Sequence, residues 1–90
     1  AKGILPEEPS VMDTLGWVYY KKGLYDSAIA EFRSSLAKAA ENPTVVFHLG
    51  LAYHKKGEPE KARAELARAL ELSSSFDGAD QARALLAEMQ

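Results

Sequence analysis

The chain has 90 residues, 47% of them hydrophobic and 27% charged, with a net charge of −2 at pH 7, a size and balance suited to one domain that buries roughly 60–65% of its unfolded surface. With no basic excess to neutralise phosphates, nucleic acid is not an expected partner, and with no cysteine there are no disulfides, thiolate metal sites or cysteine nucleophiles, an absence compatible with either cytosol or periplasm. No apolar run reaches the ~18–20 residues that cross a bilayer, so no membrane span is expected, and no charged start followed by an apolar stretch suggests a signal peptide.

The first predicted helix runs from Ser10 to Lys22, where Val11, Met12, Leu15, Val18 and Tyr19 recur at spacings of three and four and form one apolar stripe. Ser10 is its candidate N-cap. At the other end Lys21 and Lys22 complement the helix dipole, and Gly23 follows as the residue able to close the helix in the left-handed conformation. A second helix is expected from about Asp26 to Ala40, with Ala28, Ile29, Phe32 and Leu36 on its apolar side.

Next the chain writes the same unit again. The stretch "LGWVYYKKG" at 15–23 returns as "LGLAYHKKG" at 49–57, and laying 9–42 over 43–76 without a gap gives 12 identical pairs in 34 positions. They include Pro9/Pro43, Leu15/Leu49, Gly16/Gly50, Tyr19/Tyr53, Gly23/Gly57 and Ala28/Ala62. A fixed period of this length is the mark of a repeated supersecondary unit. The second copy again ends its first helix on Lys55-Lys56-Gly57, and its second helix, from Pro59 to Leu72, opens on a proline that the first turn tolerates. Ala62, Leu66, Ala69 and Leu70 supply the apolar side of that helix.

The break between the helices of a pair is only about three or four residues, so each pair folds back as an antiparallel hairpin. Gly16 with Ala28, and Gly50 with Ala62, are the small residues expected at the close crossings. Neither hairpin has much core alone, and stacking them buries the apolar faces. "SSSFDGAD" at 73–80 reads as a turn, its serines as loop and N-cap chemistry. A last helix, about Asp77 to Met89, carries Phe76, Ala79, Ala82, Leu85, Leu86 and Met89 on one side and Asp80, Gln81, Arg83, Glu88 and Gln90 on the other, as an end cap requires. The expected architecture is an all-α helical-hairpin solenoid: two repeats at 9–42 and 43–76 with four antiparallel helices, a capping helix at 77–90, and residues 1–8 as the tail of a preceding repeat or a linker.

Leu15, Gly16, Tyr19, Gly23, Ala28 and Phe32, repeated as Leu49, Gly50, Tyr53, Gly57, Ala62 and Leu66, give the pattern that resembles the tetratricopeptide repeat over residues 9–76. Three departures stand out. Ala40 and Ser74 occupy the positions of the family's proline, with Asn42-Pro43 supplying a later break. Ser35 replaces the alanine expected in the second helix of the first copy, and Trp17 lies two residues after Leu15 instead of three before it. "GILPEEP" at 3–9 resembles the close of a preceding repeat, with Pro6 at the family's proline position. Since residue 1 is Ala and not Met, the chain is expected to be a piece excised or processed from a longer array. "DTLGW" at 13–17, together with "ARALLAEM" near the end, also resembles the C-terminal part of long bacterial repeat proteins, including lipoproteins associated with exosortase sorting and exopolysaccharide export.

The resemblance implies a protein–protein interaction scaffold in which the first helix of each pair lines a concave face that receives a peptide or protein segment. On that reading the candidate partner-binding residues are Asp13, Thr14, Trp17, Tyr20 and Lys21 in the first copy and Phe47, His48, Leu51, His54 and Lys55 in the second. Trp17, Tyr20, Phe47 and Leu51 form an exposed apolar patch unless something covers it. Either a peptide with apolar or aromatic anchors occupies the patch, or it is structural: a neighbouring repeat or a second copy of the chain covers it and the repeats act as spacers. An uncapped N-terminal end makes self-association of the chain a further expectation. Asp13 and Trp17 stand where chaperone-binding members of the family carry the lysine and asparagine that clamp a terminal carboxylate, so that ligand class is not expected.

His48 and His54 are separated by roughly 600° of helical turn, so they do not converge on one metal, and no metal or other cofactor is expected. Neither a phosphate loop, a zinc-peptidase motif nor a nucleophile elbow is present, so the chain is not expected to be an enzyme.

Overall fold

The computed structural model describes residues 9–38 and 42–89, with side chains from residue 13 onward. The tail expected at 1–8, the apolar roles of Val11 and Met12, and the helix end expected at Ala40 lie outside these described residues. Among the described residues five helices follow one another: α1 (Pro9–Lys21), α2 (Tyr25–Lys38), α3 (Pro43–Lys56), α4 (Pro59–Leu72) and α5 (Ala79–Met89). No strand occurs among the described residues. Each helix packs chiefly on its neighbours in sequence, which draws the molecule out to 47 × 26 × 17 Å. It is an all-α helical-hairpin solenoid.

Local chemistry sets the helix ends. The Asn42 side-chain oxygen accepts from the backbone N–H of Thr44 at 3.0 Å and of Val45 at 3.4 Å, and Pro43 follows in the first turn of α3, where its missing N–H costs nothing. At the other end Gly57 takes φ 93°, its N–H donates to the Tyr53 and His54 carbonyls, and Glu58 N–H reaches back to Tyr53 O at 3.0 Å. Gly23, Leu24 and Tyr19 repeat this closure after α1. The twin "KKG" is therefore a pair of helix stops built on carbonyl capture by a left-handed residue.

Some ends differ from expectation. The first helix already includes Pro9, which puts Ser10 inside the first turn and not at the N-cap. Tyr25 opens α2 one residue early. Asp77 and Gly78 stay in the turn, and α5 begins at Ala79. A side chain at 78 would meet the Phe47 ring at 2.7 Å, so the approach of the turn to α3 requires glycine there.

The hairpins close as tightly as the small residues suggested. A Cβ at Gly16 would lie 2.6 Å from Cε1 of Phe32, and one at Gly50 would lie 2.9 Å from the Leu66 side chain. In both copies the glycine of the first helix makes room for the large apolar residue four positions after the buried alanine of the second. One cluster, with Ile29, Phe32, Val45, Leu49 and Tyr53, joins α2 to α3. Another, with Val46, Phe47, Leu51, Leu66 and Ala82, joins α3 and α4 to α5. Trp17, Tyr20, Leu36 and Met89 pack against both. The α5 cap is pinned by Arg63 Nη1 donating to Met89 O at 3.1 Å, and Arg83 ties the preceding turn through Ser74 O at 3.0 Å.

One expectation about the core needs correcting. Leu15 and Val18, assigned to the apolar stripe of the first helix, are 38% and 43% exposed. Gly16 and Tyr19 face the core, whereas Leu15 and Val18 lie on the side of α1 away from it. A stripe at spacings of three and four is wide enough to serve two neighbours, and α1 packs on α2 with only slight contact to α3.

Candidate partner-binding face

The face shared by α1 and α3 is organised by Trp17. Its ring stacks on Tyr20 at 4.9 Å with 10° between planes and on His48 at 4.4 Å with 29°. Lys21, one turn on along α1, places Nζ 5.2 Å from the Trp17 ring centroid, within cation–π range. Tyr20 in turn meets the edge of Tyr25 at 5.7 Å. The i, i+3 and i, i+4 spacings of a helix bring Trp17, Tyr20 and Lys21 onto one patch, and stacking of the second hairpin delivers His48 to it.

A polar contact fixes the register between the hairpins. His48 Nδ1–H donates to Asp13 Oδ1 at 3.0 Å, an assignment that follows from the carboxylate's being able only to accept. Both side chains are largely shielded, at 17% and 24% exposure. Burial, and then the neighbouring Tyr25 phenol, raise the Tyr20 hydroxyl above its ordinary value of 10.0, so Tyr20 is a neutral donor at physiological pH.

Eight of the ten residues named from the sequence lie wholly or partly open: Thr14, Lys21, His54 and Lys55 are exposed, and Asp13, Trp17, Tyr20 and His48 are half-buried. The other two are covered. Phe47 and Leu51 retain 4% and 6% exposure, because Phe76 packs on Phe47 at 5.6 Å between ring centroids and Leu51 joins the cluster under α5. The capping helix and its turn thus take up the second-copy half of the expected apolar patch. Tyr25 is an addition that sequence reasoning missed. It stands in the first turn of a second helix, where its counterpart is Pro59, so no periodic signal drew it to this face.

Other parts of the surface offer less. A hollow of about 750 Å³ beside the turn before α5 and the first turn of that helix is walled by Asp77, Asp80 and Arg83, and Arg83 is already engaged with Ser74 O and with Asp80 at 3.5 Å. Among the described residues no three His, Asp or Glu side chains gather as a metal site requires, and no helix is long and apolar enough to cross a membrane. At the seam between α2 and α3, Lys56 Nζ binds Asp26 at 2.7 Å and Glu58 at 3.0 Å. Hydrogen bonds to Asp26 and then to Glu58 push the Lys56 ammonium up to about 12.

Comparison with known proteins agrees with this arrangement. A family model described as the tetratricopeptide repeat matches residues 14–75, while no curated protein matches the chain. The matched span takes in most of the first hairpin, all of the second and more than half of the chain. With two hairpins closed by the same glycine contacts and stacked at the 34-residue period, the chain belongs to the tetratricopeptide repeat family, whose repeats are non-catalytic scaffolds that generally mediate protein–protein interactions.

Proposed function

We propose that this chain binds a peptide or protein segment on the face shared by α1 and α3. Trp17 and Tyr20 are the anchor. Asp13, Thr14, Lys21, His48, His54 and Lys55 form a polar surround, and Phe47 and Leu51 stiffen the surface from beneath without touching the partner. The observation that carries this reading is the Trp17–Tyr20 stack, held within 5 Å of His48 on a second hairpin and still partly open to solvent. Rigid aromatics of this kind contribute large contact area at little conformational cost.

The charges around the anchor describe the partner further. Asp13 is occupied by His48, whereas Lys21 and Lys55 are exposed and form no ion pair among the described residues. The face therefore suits a segment that sets an apolar or aromatic side chain against Trp17 and carries carboxylates beside it. Trp17 is the sole tryptophan, so its fluorescence reports occupancy directly. Peptide-array screening followed by calorimetric titration, which also measures variants that lack Trp17, tests the proposal. Removing the anchor by Trp17→Ala is expected to weaken binding by about 2 kcal/mol, roughly thirtyfold. If Trp17→Ala and Tyr20→Ala both leave every measured affinity unchanged, with folding intact by circular dichroism, the face is not a binding site.

A further inference from the structure

Where the two hairpins meet, α2, α3 and α4 border a cleft of about 370 Å³ lined by Arg33, Leu49, Tyr53, Lys61, Ala64 and Glu65. None of these residues belongs to the Trp17 face. Leu49 and Tyr53 are 3% and 8% exposed and make the floor. The charged groups around it are unequally matched. Lys61 Nζ is held by Glu58 at 3.2 Å and stands 5.7 Å from the Tyr53 ring centroid. Glu65 Oε1 is buried and accepts no hydrogen bond, because Arg68 Nη1, its ion-pair partner, is 3.9 Å away, beyond hydrogen-bond reach. Arg33 is exposed and forms no ion pair among the described residues. The cleft therefore offers an orphaned acceptor on α4 and an unpaired guanidinium on α2, with the apolar floor supplied by α3, which packs between those two helices.

We infer that this cleft is a binding site for a small organic carboxylate that also carries a hydroxyl group. Each part of that ligand answers one feature of the cleft. The carboxylate meets Arg33, whose planar fork of N–H donors suits two oxygens at once. The hydroxyl donates to Glu65 Oε1, which as a carboxylate oxygen can only accept and whose burial without a donor is costly. The methylenes between them lie on Leu49, Tyr53 and Ala64. Charge selects the same class: with Lys61 matched to Glu58 and Glu65 facing Arg68, one positive charge, that of Arg33, is left to neutralise. The volume stands at the small end of ligand sites. The cleft is also peculiar to this chain's sequence and not a product of the repeat, since the counterparts of Arg33 and Lys61 in the other copy are Ala67 and Ser27. It is independent of the Trp17 face, so both can be occupied together.

The test is an NMR titration of the 90-residue chain that follows the Arg33 Nε–H and the Leu49 and Ala64 methyl signals. The probes are glycolate, γ-hydroxybutyrate and ω-hydroxycaproate, each beside the acid that lacks the hydroxyl, with γ-aminobutyrate and n-butanol as comparators. The best-fitting hydroxy acid is expected to give saturable shifts with a Kd of about 1 mM, and its parent acid to bind about tenfold more weakly. Arg33→Gln is expected to weaken both acids by at least about tenfold. Glu65→Met, close in shape and helix propensity but without an acceptor, is expected to abolish the preference for the hydroxyl while the carboxylate still binds. Trp17→Ala is expected to change none of these values. Equal affinity for acids with and without the hydroxyl would reduce the cleft to a counterion site on Arg33 and overturn the inference. Tighter binding of γ-aminobutyrate would assign it to zwitterions, and equal binding of butanol to apolar solutes, and either would overturn it. So would the absence of saturable shifts at the three reporter residues, or a hydroxyl preference that survives Glu65→Met with folding intact by circular dichroism.

Discussion

Replacing Gly16 by alanine is expected to destabilise the protein in its native background and to stabilise it once Phe32 has been truncated. Alanine in a helix interior is favoured over glycine by about 1 kcal/mol, and this term acts in either background. Against it, the new methyl would stand 2.6, 2.7 and 3.1 Å from Cε1, Cδ1 and Cζ of Phe32, roughly 1 Å inside a comfortable carbon–carbon contact of ~3.5–4.0 Å. Phe32 has no exposed surface, so its ring cannot move aside and the α1–α2 crossing must open. Overpacking of this kind costs about 1–3 kcal/mol, leaving Gly16→Ala destabilising by about 1 kcal/mol net. Phe32→Ala alone costs about 3–5 kcal/mol through the cavity it leaves. In that background all three close contacts are gone, and the same Gly16→Ala change should add about 1 kcal/mol. The assay is a double-mutant cycle by urea unfolding at constant m-value, with an expected coupling of about 2 kcal/mol. Equal effects of Gly16→Ala in the two backgrounds would show that Phe32 does not set the hairpin spacing.

Three further outcomes follow from the helix ends and the titrating groups. Gly57→Ala should cost about 1–2 kcal/mol in thermal unfolding, because φ is 93° and the added carbon would touch nothing within 4 Å, so the loss is purely conformational, and Gly57→Asn should recover part of it. Asn42→Ala should cost about 1 kcal/mol and fray the start of α3 in amide exchange, since it removes the acceptor for Thr44 and Val45; an unchanged exchange pattern would contradict the cap. Tyr20 and Lys56 both titrate above their ordinary values of 10.0 and 10.5, so the stability they contribute is complete below those values and lost as pH rises through the folded-state values. The urea midpoint should therefore fall on the alkaline side above about pH 10, and Lys56→Met should remove part of that fall.

The sequence alone determined the parts of this protein that depend on local rules and on repetition. The 34-residue period, the glycine stops after α1 and α3, the span of α4 from Pro59 to Leu72 and the small residues at the two hairpin crossings are all written in residues close enough to be read together. Eight of the ten positions named for partner binding, five on α1 and three on α3, owe their place at the surface to the turn of the helix that carries them. Only the tertiary structure decided which neighbour each apolar side chain meets. Leu15 and Leu49 are the same residue in the same motif, yet one is open and the other buried, because α2 packs over α3 and not over the outer side of α1. Phe47 and Leu51 read as surface residues until α5 and Phe76 close over them. The clasp of His48 with Asp13, and the stacking of His48 on Trp17, join residues more than 30 positions apart. Helical periodicity specifies directions around one axis, whereas burial depends on which second axis lies in that direction, and hairpin stacking alone supplies it.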